Sequence, residues 1–434
     1  MKRVNVISMG CSKNLVDSER LLRRLSDGAI ETVHDGEPET PADAVVINTC
    51  GFIGDAKEES IDMILRACEA KKDGVVDAVY VMGCLSERYA ADLPAEIPEV
   101  DGWYGKFDFE DLAARLCRRP APARAWERRL TTPPWSAYLK IAEGCNRFCA
   151  FCAIPLITGR YHSRPVEEIL DEVTTLAADG VVEFNVIAQD LSFYGRDLYG
   201  EPAIARLVDA MAAVPGVRWI RLHYAYPSDF PYDLLPVMAR HANVCKYLDI
   251  ALQHSSDNML DRMRRHITGD EQRALLARIR REVPGIHIRT TLMTGFPGET
   301  DEDFDDLLRF VRSERFERMG AFAYCEEDDT YAATHYTDDV PEDVKQQRLD
   351  RLMAVQEEIA LEHNEAKIGR RMTVLVEGDD GEEFYRARSE FDSPEVDPEV
   401  LIARDSCATP LVPGTFCEVE ITDALPYELI AKAV

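Results

Sequence analysis

Three cysteines within eight residues stand out in the sequence: Cys145-Asn146-Arg147-Phe148-Cys149-Ala150-Phe151-Cys152. Thiolates spaced C-x3-C-x2-C can converge on one metal centre when they lie on a loop. A [4Fe–4S] cluster normally takes four thiolates, so three leave one iron open to a substrate or cofactor. The competing reading is a structural zinc site, which needs a fourth ligand. No Cys or His follows closely, and His162 is ten residues on. A second trio is dispersed. Cys11, Cys50 and Cys84 each come just past a candidate strand, at Val4–Met9, Asp43–Asn48 and Ala78–Met82, at separations of 39 and 34 residues. If those strands lie parallel in a doubly wound sheet, their carboxyl ends form one crevice where the thiols can meet. Gly10, Gly51 and Gly83 beside them would let the backbone approach a cluster closely. Three unrelated core cysteines fit the spacing equally well. Cysteines 68, 117, 245, 325, 407 and 417 have no partner spacing and read as small apolar residues.

The elements that must position these thiols fall into three regions. Residues 1–117 alternate short apolar runs with amphipathic stretches, such as Leu15, Val16, Glu19, Leu22 and Leu25 at helical spacing. That alternation predicts an α/β domain with a doubly wound parallel sheet. Residues 118–134 carry Pro120, Pro122, Pro133 and Pro134 and read as a linker. From 135 to 366 six strands are expected: Tyr138–Ala142, Glu183–Ala188, Trp219–Tyr224, Tyr247–Leu252, His287–Met293 and Gly320–Tyr324. Six β/α units make a partial, TIM-like (β/α)6 barrel whose chemistry belongs at the strands' carboxyl ends. The eight-residue cysteine motif follows the first of them. A long helix from Pro341 to about Lys367 leads into residues 367–434, where short runs broken by Gly, Pro and Asp predict a small all-β barrel.

With 434 residues, 46% apolar and 30% charged, the chain has globular composition. Its twelve cysteines are too scattered for a secreted disulfide framework. No run approaches the ~18 apolar residues of a membrane span. The apolar stretch after Met1-Lys2-Arg3 is too short for a signal sequence. A cytoplasmic protein with no membrane partner is expected. The formal charge of −29 repels phosphate backbones and suits a basic protein partner.

The C-x3-C-x2-C motif after the first barrel strand resembles the signature of the radical S-adenosylmethionine (SAM) superfamily. The resemblance implies that Cys145, Cys149 and Cys152 hold a [4Fe–4S] cluster whose fourth iron SAM chelates. Reduction then cleaves SAM to methionine and a 5′-deoxyadenosyl radical. Taken whole, the chain is similar to the methylthiotransferase family, with its N-terminal domain, radical SAM core and OB-like TRAM barrel in that order. This resemblance implies that Cys11 in SMGCSKNLVDSE, Cys50 in NTCGFI and Cys84 in MGCL hold a second, auxiliary [4Fe–4S] cluster that delivers sulfur. Ser12 and Met9 depart from the Pro and Leu of the family's first motif. Many radical SAM enzymes place Gly-Gly-Glu after the second barrel strand, against the SAM amino group. Here Ala188-Gln189-Asp190 stands there, making Gln189 a candidate SAM contact. Gly295, in the turn Gly295-Phe296-Pro297-Gly298-Glu299, is a second candidate, though loop geometry explains that turn equally well.

One branch of the family methylthiolates N6-isopentenyladenosine in transfer RNA; the other modifies the β-carbon of an aspartate in small-subunit ribosomal protein S-twelve, giving 3-methylthioaspartate. The segments KNLVDSER, IAEGCNRFCAFCAIPLITG, IAQDLSFYGRDLYG, YLDIALQH and EFDSPEVD resemble the ribosomal-protein branch. Residues 367–434 hold 7 Lys+Arg against 15 Asp+Glu, a net −8, whereas a barrel that docks RNA should be basic. An acidic surface kept for solubility is the plainer account of that charge. The resemblance implies two SAM per turnover, one methylating cluster-bound sulfur and one furnishing the radical, with a sulfur donor and an electron donor as further partners. A non-enzymatic iron–sulfur carrier is the remaining alternative.

Overall fold

The computed structural model describes residues 2–117 and 124–434. Pro120 and Pro122 of the expected linker lie outside them.

In the first region, strands β1 (Arg3–Ser8), β2 (Glu31–His34), β3 (Ala44–Thr49), β4 (Val79–Gly83) and β5 (Gly102–Trp103) form one sheet in the order β2-β1-β3-β4-β5. Every neighbouring pair is parallel. Alternate side chains face opposite layers. Val4, Val6 and Val46 pack on Leu21, Leu22 and Leu25 of helix Ser12–Asp27, while Val45 and Ile47 pack on Ile64 and Ala67 of helix Gly54–Lys72. With both faces covered, the strands read as apolar runs. The sequence pattern finds β1, β3 and β4 but not β2 or β5. The first of these is only partly buried and the second is two residues long, so neither shows an apolar run.

The second region contains β6 (Ser136–Lys140), the short antiparallel pair β7 (Ala142–Glu143) and β8 (His162–Ser163), and then β9 (Glu183–Ile187), β10 (Trp219–Ala225), β11 (Val244–Ile250), β12 (His287–Thr294) and β13 (Arg318–Ala323). The six longer strands form a parallel sheet in the order β13-β12-β11-β10-β9-β6. The edge strands β6 and β13 do not pair, so the barrel is open on one side. Phe184, Ile220, Leu248 and Ile288 face the surrounding helices in the largest apolar cluster. Glu183, Arg221, Tyr247, Arg289 and Arg318 alternate with them and are turned to the other face.

The third region is a closed barrel, β14 (Arg371–Asp379), β15 (Phe384–Ser389), β16 (Glu399–Ala403), β17 (Phe416–Leu425) and β18 (Glu428–Ala433), ordered β14-β15-β16-β18-β17. It follows the helix Glu342–Glu365, which starts just after Pro341. Its β15–β16 connection enters the open barrel's polar interior. Arg388 donates to both oxygens of Glu183 at 2.9 and 2.6 Å, Asp392 lies 2.7 Å from Arg318, and Tyr247 donates to Asp397 at 2.8 Å. Burial alone would raise the Glu183 carboxyl, but Arg388 and Arg221 hold it far below the usual carboxylate range. Among the cysteines expected as apolar filler, Cys68, Cys117 and Cys245 are buried, Cys407 and Cys417 half-buried, and Cys325 exposed.

Candidate functional site

Cys11, Cys50 and Cys84 follow β1, β3 and β4, three adjacent strands running the same way, so the sheet brings their chain positions together. The glycines beside them permit close approach, of the Cys50 side chain at Gly10 and of neighbouring backbone at Gly51 and Gly83. Gly10 has a φ of +85°, and a Cβ there would stand 2.8 Å from the Cβ of Cys50. A Cβ on Gly51 would stand 2.7 Å from the backbone of Leu85. Asn14 ties the strand ends together, its amide donating to the carbonyls of Met9 and Thr49 at 3.2 and 2.9 Å. Its side-chain oxygen accepts from the Cys84 thiol at 3.4 Å. Burial pushes the Cys84 thiol up to about 12. At Cys11 burial acts in the same sense, but the charges of Lys13 and Lys106 outweigh it and the thiol is lowered.

Cys145, Cys149 and Cys152 lie on the loop that leaves β6 and β7 at the barrel's carboxyl end. The loop is anchored by residues past each of the other five strands. The Ala150 amide donates to Met263 O at 3.0 Å, and Ala150 O accepts from the Ala332 amide at 2.7 Å. Arg147 donates to Asp190, just past β9, at 2.6 Å and lies 4.2 Å over the ring of Tyr226, past β10. Phe151 packs edge-on to Phe296, past β12. Arg265, past β11, donates to the Cys149 sulfur at 3.1 Å, and the Tyr226 hydroxyl is 3.5 Å from that sulfur. Burial pushes the Cys145 thiol up to about 12 and raises Cys152 as well. Such thiols stay neutral until a metal takes the proton's place.

Both donor sets fit iron–sulfur ligation. All six cysteines are free, and each trio supplies three soft ligands on loops at strand carboxyl ends. Among the described residues no three His, Cys, Asp or Glu side chains close around a single metal ion. A cluster asks for a different arrangement, one thiolate at each of three separate corners. Buried polar atoms without a hydrogen-bond partner gather on the loops at the same end: Arg147 Nη2, Gln189 Oε1 and Gln253 Oε1. A polar ligand such as SAM would satisfy them. Gln189 thus remains a fitting SAM contact, with its amide nitrogen already bonded to Glu143. Gly295 has a φ of +71°, its amide donates to Glu299 at 2.7 Å, and a Cβ there would meet Lys345 at 2.2 Å. Packing against the long helix accounts for this glycine, and Phe296 beside it steadies the cysteine loop.

The N-terminal crevice faces the barrel mouth. Lys57 and Arg88 converge on Glu327, past β13, at 2.9 and 2.7 Å, and Lys13 lies 3.4 Å over the ring of Tyr224 at the end of β10. Cys84 packs directly on Ala153 and Ile157, just after Cys152. The expected linker is, over 124–134, a bound strap: buried Arg128 pairs with Glu19 of the first region and with Glu172 of the second. A cavity of about 250 Å3 lined by Asp17, Lys106, Lys140 and Glu143 lies where the first region meets the barrel, while cavities of about 310 and 460 Å3 lie at the barrel base and on the long helix's flank. Sequence reasoning missed Arg147, Tyr226 and Arg265. Arg147 sits inside the motif, but Arg265 is 116 residues from the sulfur it meets and carries no local signal.

Three family models match the chain: the Radical SAM superfamily over residues 139–311, Uncharacterized protein family UPF0004 over 3–105, and the TRAM domain over 368–434. The chain is 57% identical over 434 residues to a Porphyromonas gingivalis protein named ribosomal protein uS12 methylthiotransferase RimO, covering 100% of this chain and 99% of that one. Proteins of the same name from Parabacteroides distasonis and Flavobacterium johnsoniae are 55% and 46% identical, over 100% and 99% of this chain and 99% and 98% of theirs. Among solved structures, the radical SAM methyltransferase TsrM of Kitasatospora setae with cobalamin and a [4Fe–4S] cluster bound has a TM-score of 0.56 at 16% identity, over 77% of each chain. That likeness concerns fold alone.

Proposed function

The chain belongs to the uS12 methylthiotransferase family of radical SAM enzymes, and from that premise we propose that its two cysteine trios divide the reaction between them. It is an alkylthio-transferring enzyme that uses SAM and a [4Fe–4S] cluster. Its substrate in this reading is ribosomal protein uS12, at the β-carbon of one aspartate, which puts its work in the cytoplasm. Transfer RNA is not favoured as substrate, and an electron carrier that performs no chemistry is set aside.

We assign Cys145, Cys149 and Cys152 to the SAM-binding cluster, Cys11, Cys50 and Cys84 to an auxiliary cluster, and Gln189 to a SAM contact. When bound, these groups supply reductive cleavage of SAM at one centre and a place for transferable sulfur at the other. The protein's own part is positional. Arg265 directs a cation at the Cys149 sulfur, and Arg147 locks the loop against two strand ends through Asp190 and Tyr226. Cys84 packs on Ala153 and Ile157 beside Cys152, and in this reading that adjacency sets both centres within reach of one aspartate side chain. A sulfur donor and a low-potential electron donor complete the reaction. We divide the chain into a domain for the auxiliary cluster at 1–117, a linker at 118–134, the radical SAM core at 135–366 and the TRAM domain at 367–434.

The observation that carries this reading is the convergence of two three-cysteine sets on facing strand ends. Mass spectrometry of an anaerobic reaction with SAM, sulfide and reductant tests it, offering uS12 and an isopentenyladenosine-containing transfer RNA side by side. A methylthio gain on the protein's aspartate is expected. A gain on the RNA, or none on either with SAM still cleaved, would overturn the substrate assignment.

A further inference from the structure

The motif that supplies Cys11 also supplies Asn14 and Asp17, to which the reading above gives no chemical part, and both touch a buried lysine from elsewhere in the chain. Lys106 follows β5, the strand beside the one that delivers Cys84, so the topology carries its side chain into the same crevice. It is 3% exposed. Its ammonium donates to Asn14 Oδ1 at 3.3 Å, the same oxygen that accepts from the Cys84 thiol at 3.4 Å. The ammonium therefore stands no further from the Cys84 sulfur than these two distances together, whether or not that thiol keeps its proton.

A buried ammonium persists only with partners. Those of Lys106 are Asp17 at 3.2 Å and Glu143 at 3.7 Å. Both carboxylates are shared with Lys140 of β6, Asp17 has Arg20 at 3.6 Å, and Glu143 also holds Gln189. The carboxylates therefore turn toward the barrel, while the ammonium reaches toward the thiols through Asn14. Two lysines and two carboxylates sum to zero, but the end nearest the thiols is positive.

Resting on the assignment of Cys11, Cys50 and Cys84 to an auxiliary cluster, we propose that Lys106 is that cluster's buried counter-charge, a positioning residue that favours its reduced form. A cluster held by three thiolates gains one negative charge when it takes one electron from an external donor. A fixed cation beside it stabilises the product of that step more than the reactant, which raises the midpoint potential. Asp17 moderates the effect by partial neutralisation.

The test uses the full chain with Cys145, Cys149 and Cys152 replaced by alanine, so that one cluster remains. Iron and sulfide are counted, and the cluster is titrated with dithionite while its reduced form is followed by electron paramagnetic resonance. Lys106→Gln is expected to lower the midpoint, Asp17→Asn to raise it, and Lys106→Arg to leave it near the parent value. Opposite shifts are the mark of charge, since a damaged site would not change sign with the charge removed. Midpoints that stay at the parent value with full iron, or that move the same way in both variants, overturn the proposal. If Lys106→Gln loses its iron, an unshifted Asp17→Asn overturns it alone. A parent that binds no iron at all refutes the cysteine assignment beneath it, which is a separate failure.

Discussion

The two cysteine trios are positioned in opposite ways. Cys145, Cys149 and Cys152 are neighbours in sequence, yet their loop has little structure of its own and is held by side chains and carbonyls from the other strand ends of the barrel, Asp190, Tyr226, Met263 and Phe296 among them. Cys11, Cys50 and Cys84 are far apart in sequence, yet each leaves an adjacent parallel strand, and sheet register alone brings them close. A contiguous motif thus depends on the whole barrel, while a dispersed one depends on a single sheet and on Asn14. Damage at a distance should therefore reach the first trio more readily than the second.

The largest effect that can break this comparison comes from the ligands themselves. Cys149→Ala should abolish formation of 5′-deoxyadenosine, read by chromatography of the quenched reaction. Cys50→Ala should leave that product forming while no methylthio group appears on uS12. Methylthiolated product from Cys50→Ala would end the division of labour between the trios. Next in size is Arg265→Met, which removes the donor to the Cys149 sulfur. Loss of such an outer partner typically costs about 10–100-fold in metal affinity or activity. A loss of that order in SAM cleavage is expected, with auxiliary-cluster iron unchanged. Equal loss of iron from both trios would show that they are not supported independently.

The same contrast explains what the sequence made legible. The eight-residue motif is visible because its ligands are contiguous, and the strands that deliver the second trio are visible because both faces of that sheet are buried. Edge strands β2 and β5 carry no apolar run and cannot be seen this way. Gly10, Gly51 and Gly83 mark close approach in the sequence, but not what approaches: a Cβ at Gly10 would meet the Cys50 side chain, and one at Gly51 or Gly83 would meet neighbouring backbone. Gly295 carries the same ambiguity: a left-handed turn needs glycine whether or not a ligand is near. Arg265 and Lys106 were invisible because nothing local marks them. Their meaning comes from the strand order, which pattern alone does not fix.

A smaller effect should come through the barrel's open side, which the third region clasps. Asp392, buried beside Arg318, is held down to about 2: burial would raise it, but Arg318 and then Lys367 outweigh that. Its folded-state value lies below the ordinary value of about 3.9. The stability it contributes is therefore complete above that value and fades as pH falls toward 2. Removing one partner of a buried pair costs about 3–5 kcal/mol, so Asp392→Asn should lower the denaturant midpoint at neutral pH and flatten the acid dependence. Trp219, packed edge-on to Phe416 of the small barrel, provides the fluorescence signal. Since the loop trio leans on the barrel, its iron should be released before the auxiliary iron as this clasp loosens. Release in the other order would reverse the comparison.

The smallest effect concerns the surface rather than either trio. Residues 367–434 carry a net −8, and the substrate in this reading is a basic ribosomal protein. Attraction between exposed charges is screened as the Debye length falls from ~10 Å at 0.1 M salt to ~3 Å at 1 M. Binding of uS12 should weaken progressively across that range, mostly through slower association, because rim charges steer encounter more than they hold a complex. Surface plasmon resonance at several salt concentrations separates the two rates. An association rate indifferent to salt would leave the acidic barrel a matter of solubility, and substrate choice would then rest on the space between the two cysteine trios. A salt-dependent rate would instead divide the work, with the surface selecting a basic partner and the enclosed strand ends selecting its aspartate.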